Sequence, residues 1–99
     1  MLTKNERNSI KALRHRENRK LEKRMVVEGN KGVEELLNSG FETLEIYATS
    51  SVELNEIIVL ADEKNVAIID VSSKDMQIMS SLKTAPGVLG LSRLSPTDK

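Results

Sequence analysis

Between Met25 and Leu91, short β-branched or apolar runs alternate with segments of helical period, and this alternation constrains the fold most. Met25-Val26-Val27 reads as a strand ended by Gly29. Val33, Leu36 and Leu37 follow at helical spacing, and Gly40 takes the place of a C-terminal glycine cap. Leu44 to Ala48 reads as a second strand. Ser50 and Glu53 have the spacing of a capping box ahead of Leu54, Ile57, Ile58 and Ala61, which recur at i, i+3, i+4 and i+7. The apolar run from Val66 to Val71 suits a central strand covered on both faces. Ser72 or Ser73 caps a short helix through Met79 that turns Met76 and Met79 inward. Pro86-Gly87 makes a turn, and Val88 to Leu91 forms the last strand. Strands alternating with helices predict a three-layer α/β/α sandwich around a small mixed, mainly parallel four-stranded sheet.

A helix precedes this unit. Thr3-Lys4-Asn5-Glu6 has capping-box spacing, with Thr3 as N-cap and Glu6 reaching back. The helix it opens runs to about Arg14. At the helical rotation per residue, Leu2, Ile10 and Leu13 fall within an arc of about 80°. Lys4, Arg7, Lys11 and Arg14 share another arc, so the helix docks by a narrow apolar stripe and turns a basic one to solvent. From His15 to Lys23 the apolar periodicity stops, which predicts a charged loop. The chain therefore divides into a basic helix and loop (1–23), an α/β domain (24–94) and a polar tail or linker start (95–99).

Charge is segregated along this division. The whole chain balances 15 Lys+Arg against 15 Asp+Glu. Residues 1 to 32 nevertheless carry ten basic side chains against four acids, and the remaining 67 carry five against eleven. A basic segment of that kind seeks an anionic partner, or else serves only as a solubilising helix. No run approaches the roughly 18 apolar residues of a membrane span. Without cysteine there is no disulfide framework, which fits a reducing, cytoplasmic setting, and one histidine leaves no zinc site. Phe41 and Tyr47 are the only aromatic side chains, too few for a base-stacking platform.

Catalytic constellations are scarce. His15 lies between Arg14 and Arg16 with no orienting partner or pocket in view. Serines 50, 51, 72, 73, 80 and 81 come in pairs near helix ends, where capping is their expected work. No G-x-S-x-G elbow is present. Glu34, Glu35, Asp62 and Glu63 fall on solvent faces. Gly29-Asn30-Lys31-Gly32 follows a strand and opens a helix, a place where backbone N–H groups can meet an anion. It lacks a full dinucleotide or P-loop pattern, so it reads either as a site for one phosphate or as an ordinary turn.

The stretch IKALRHRENRKLEKRMVVEGNKGVEELLNSGFETLEIYATS resembles the opening of the SpoU/TrmH-type RNA ribose 2′-O-methyltransferases. In that family a basic helix and an arginine-ended loop precede a strand closing in Glu-Gly and a V-x-E-x-L helix. Here Arg19 takes the arginine position, Glu28-Gly29 closes the strand, and Val33, Glu35 and Leu37 open the helix. SSKDMQIMSSLKTAPGVLGL is similar to the family's next signature, which ends in a Gly-Val-Leu strand at Gly87-Val88-Leu89. The resemblance runs from about Ile10 to Leu91. Met25 stands where an aromatic is common, and Pro86 where a Gln before the Gly is common.

The resemblance implies a substrate-binding domain folded like the ribosomal proteins that grip kink-turn RNA. In the family it precedes a knotted SPOUT domain that binds S-adenosylmethionine, transfers the methyl group and forms the homodimer. No N-x-G-x-x-R segment, later glycine-rich loop or S-L-N motif occurs here. The expectation is a cytoplasmic domain that binds rRNA or tRNA without methylating it, with no cofactor, metal or catalytic residue of its own. The RNA contacts expected are Lys4, Arg7, Lys11, Arg14, Arg16, Arg19, Lys20, Asn30 and Lys31, with shape and backbone outweighing stacking. A free-standing kink-turn-type RNA binder and a protein-interaction or dimerisation module remain as alternatives.

Overall fold

The computed structural model describes residues 2–50 and 53–96. In chain order its elements are α1 (Lys4–Ala12), α2 (Arg16–Glu22), β1 (Arg24–Glu28), α3 (Asn30–Leu37), β2 (Phe41–Ala48), α4 (Asn55–Glu63), β3 (Ile68–Asp70), α5 (Ser73–Met79) and β4 (Val88–Pro96). The strands form one sheet in the order β1-β4-β2-β3. The expected sandwich of three layers is present. Successive residues of the inner strands point to opposite faces, as a pleated strand dictates. Tyr47, Leu89 and Leu91 pack with Ile10 and Leu13 of α1 and Met76 and Met79 of α5. Ile46, Ala48 and Val88 pack with Val33 and Leu37 of α3 and Ile57 and Ala61 of α4.

The sheet is mixed, and its balance differs from the mainly parallel one expected. β1, β2 and β3 all run in one direction, yet β4 lies between β1 and β2 and pairs antiparallel with both. Among the described residues only β2 and β3 are bonded in parallel, with Ile46 opposite Ile68 and Ala48 opposite Asp70. β4 is therefore an inner strand beside β2, and its Val88 and Leu89 are fully enclosed. The Val66–Val71 run supplies an edge strand instead, shortened to Ile68–Asp70. Its apolar character reflects two covered faces, because Ile69 joins one core and Ile68 the other.

Four local expectations are corrected. His15–Lys23 holds a helix where a loop was expected: α2 buries no residue, so it leaves no apolar period to read. Its residues are good helix formers, and its N-cap His15 offers no side-chain hydrogen bond. Gly40 does not cap α3; Asn38 ends the helix in ordinary right-handed backbone, and the Ser39 hydroxyl donates to the Leu36 carbonyl at 2.6 Å. Ser50 and Glu53 do not box α4, which starts from Leu54 without a side-chain cap. The Glu53 carbonyl accepts from the Asn30 amide at 2.8 Å instead of opening the helix, and Ser51 and Val52 lie outside the described residues. Strand β4 runs on to Pro96, into the segment read as a polar tail, and residues 97–99 lie outside the described residues.

The capping box at Thr3 and Glu6 is present in both directions, and Ser72 caps α5 by accepting from the Asp75 N–H. No helix among the described residues is long and apolar enough to cross a membrane.

Candidate nucleic-acid interface

Helix α1 lies on the sheet through Ile10 and Leu13, and the same rotation decides where its four basic residues point. Lys4 and Lys11 are exposed. Arg7 is half-buried, and its Nη1 donates to Asp75 Oδ1 of α5 at 2.9 Å. Arg14 Nη2 donates to the Ser80 carbonyl at 2.9 Å. The stripe expected to face solvent is thus divided: Arg7 is drawn in against Asp75, while Arg14 stays exposed as expected but spends its guanidinium on the end of α5.

Helix α2 repeats the division. Its Arg16 and Lys20 are exposed, while Arg19 is half-buried and donates through Nη1 to the Leu13 and Arg14 carbonyls at 3.0 and 2.9 Å. Asn18 donates to the Ala12 carbonyl at 3.0 Å. The last carbonyls of a helix have no partner within it, and α2 supplies them. Lys23 closes α2 in the left-handed conformation at φ 58°, and Arg24 then reaches back to Ser9 Oγ at 2.8 Å. Lys4, Lys11, Arg16 and Lys20 are left as exposed cations with no ion pair among the described residues.

Asn30 and Lys31 belong to a different element from this group. They open α3 after Gly29, whose φ of 94° suits glycine. The turn follows β1, whose last residue Glu28 walls the same cleft as Arg14 and Arg19. The Asn30 amide is engaged by Glu53, and Lys31 is exposed.

Sequence reasoning missed Glu28 as more than the end of a strand. Its carboxylate accepts from the Ser80 hydroxyl and from the backbone N–H and hydroxyl of Ser81, the latter two at 3.0 and 2.8 Å. The serine pair thus does more than cap α5. Beside it, between α1, α2 and β1, opens a cleft of about 280 Å³ walled in part by Arg14, Arg19, Met25, Glu28, Ser81 and Leu94. His15 is exposed, and no group of acids or histidine suited to a metal occurs among the described residues.

The fold is shared with solved RNA-modifying enzymes. A candidate RNA methyltransferase of the TrmH family from Porphyromonas gingivalis superposes with a TM-score of 0.76 at 21% identity, over 95% of this chain and 36% of that one. An RNA 2′-O ribose methyltransferase gives 0.77 at 19% identity, over 94% and 36%. An AdoMet-bound rRNA methyltransferase from Sinorhizobium meliloti gives 0.74 at 17%, over 96% and 35%. The chain thus spans little more than a third of the length of each. No curated protein sequence matches it significantly. The sequence itself fits the family model of the MRM3-like substrate-binding domain from residue 5 to residue 90, from α1 to the start of β4, and the chain belongs to that family.

Proposed function

We propose that this chain is the RNA-recognising domain of an RNA ribose 2′-O-methyltransferase that acts on rRNA or tRNA in the cytoplasm. The observation that carries the reading is the set of exposed cations Lys4, Lys11, Arg16 and Lys20 on two helices that other arginines hold in place. Phosphates meet these four side chains, while Arg7, Arg14 and Arg19 fix the helices that present them. Segment 1–23 supplies this face, and the α/β body 24–94 carries it. Asn30 and Lys31 offer a second contact at the far end of β1. With Phe41 and Tyr47 as its only aromatic residues, the domain recognises RNA by shape and backbone more than by stacking.

The methyl donor, S-adenosylmethionine, is assigned to a separate SPOUT domain, which also forms the homodimer. The residues here do not fit that cofactor. The carboxylate in the cleft between α1, α2 and β1 is engaged by Ser80 and Ser81, and the glycine-containing turn is closed by Asn30 bonding to Glu53.

Titration of the chain against a structured rRNA fragment and a DNA duplex of equal length tests the reading. RNA is preferred, and with four phosphate contacts log K falls against log salt with a slope of about −3 to −3.5. Equal binding of both nucleic acids, or no effect of reversing the four charges, overturns it.

A further inference from the structure

The sheet edge away from the basic helices carries an unpartnered apolar groove. Ile57 and Ala61 of α4 are buried, but Ile58 and Val59 are 53% and 54% exposed. Ile58 belongs to the helical set expected to face the core, and the structure turns it outward. These two side chains border a groove of about 520 Å³ with Ala61, Asp62, Val66 and Ile68. Strand β3 beside it pairs only with β2 among the described residues.

Charge narrows what can occupy this groove. From Glu53 to Asp70 there are five acids and one basic side chain, Lys64. Asp62 and Glu63 are exposed at its rim, and Glu56 is exposed one turn earlier on α4. That rim repels RNA and anionic lipid. A two-fold contact with a second copy sets like charges of Asp62 and Glu63 near their own counterparts, because such an interface uses the same patch twice. What complements an acidic rim around an apolar floor is a basic, apolar segment.

We propose that the α4–β3 groove docks a protein segment whose apolar side chains are flanked by lysines or arginines. Ile58 and Val59 cover its apolar side chains, and Asp62 and Glu63 meet its cations. The groove lies at the β3 edge and the basic helices act from the β1 side, so partner and RNA occupy opposite ends of the sheet. The proposal does not depend on the RNA reading.

The test uses the isotope-labelled chain and a synthetic amphipathic peptide of about 15 residues, with leucines at helical spacing and lysines flanking them. A second peptide carries glutamate in place of each lysine. The lysine peptide shifts backbone amide resonances within residues 56–70 and saturates, while the glutamate peptide does not. Asp62→Lys with Glu63→Lys abolishes the shifts. Ile58→Ser with Val59→Ser weakens binding about tenfold at unchanged Tm, which separates docking from folding. Equal binding of both peptides, or shifts centred elsewhere, overturns the proposal. So does perturbation of residues 56–70 by RNA, by anionic vesicles, or by raising the concentration of the chain alone.

Discussion

Ser81 donates twice to the carboxylate of Glu28, through its backbone N–H at 3.0 Å and its hydroxyl at 2.8 Å. Glu28 ends the edge strand β1, and Ser81 lies just beyond α5, so one acid ties the strand to the segment leading into Pro86-Gly87. Arg14 holds the neighbouring Ser80 carbonyl from the other side. Hydrogen bonds to a charged acceptor contribute more than neutral ones, and a donor left unpaired adds a further loss. Glu28→Ala should therefore destabilise by about 2 kcal/mol, and Glu28→Gln by about half of that. Urea unfolding measures both, and amide exchange at Ser81 should accelerate in step.

The distance of that contact in sequence explains what could be read beforehand. Thr3–Glu6, Ser72 and the Ile10–Leu13 stripe were legible because capping and helical rotation are local. Helix α2 was not, since it buries nothing and its anchors, Arg19 and Asn18, bond to the end of another helix. The Val66–Val71 and Val88–Leu91 runs look alike because both are covered on two faces, and only pairing tells the edge from the centre. In the candidate site the residue types were legible, but their roles were not. Arg7 and Lys11 share a helix face, yet a partner 68 residues away draws Arg7 partly out of solvent and leaves Lys11 there.

Tyr47 gives the fold an alkaline limit. It is 2% exposed, and its hydroxyl donates to the Glu45 carboxylate. Burial, reinforced by that bond and by the charge of Glu45, pushes its phenol well above the ordinary tyrosine range. The protonated form is favoured in the fold, so its contribution is complete below the unfolded value of about 10 and is lost as pH rises beyond it. Stability should drop above that pH by up to about 1.4 kcal/mol per unit from this group alone. Tyr47→Phe should remove that component of the slope. Because Tyr47 is the only tyrosine, phenolate absorbance should appear together with unfolding rather than before it.

Helix α3 approaches β1 closely at Gly32. A Cβ built there falls 2.8 Å from Cγ1 of Val27. Valine is stiff about χ1, so the strain cannot be relieved by a simple swing of the side chain. Alanine is the better helix former by up to about 1 kcal/mol, whereas overpacking costs about 1–3 kcal/mol. Gly32→Ala should consequently destabilise by about 1 kcal/mol net. In a Val27→Ala background the clash is gone, and the same substitution should become neutral or stabilising. A double-mutant cycle by chemical denaturation reads this coupling directly.

Arg7 and Lys11 separate anchoring from RNA contact most sharply. The Arg7 and Asp75 side chains are 21% and 29% exposed, so their pair lies between the surface and buried regimes. Arg7→Ala should destabilise by about 1 kcal/mol, lowering Tm by roughly 4–8 °C in a domain of this size. Lys4→Glu with Lys11→Glu breaks no ion pair among the described residues and should leave Tm nearly unchanged. If these lysines meet phosphates, the double variant should bind RNA more weakly and flatten the salt slope by about 0.7–0.9 per lost contact. Arg16→Glu with Lys20→Glu should behave the same way on α2, where both side chains are exposed. Arg19→Ala should instead lower Tm, because it leaves the Leu13 and Arg14 carbonyls without their donor. Thermal unfolding and RNA titration on the same variants measure both effects. A stable double variant with unchanged RNA affinity would remove α1 from the interface.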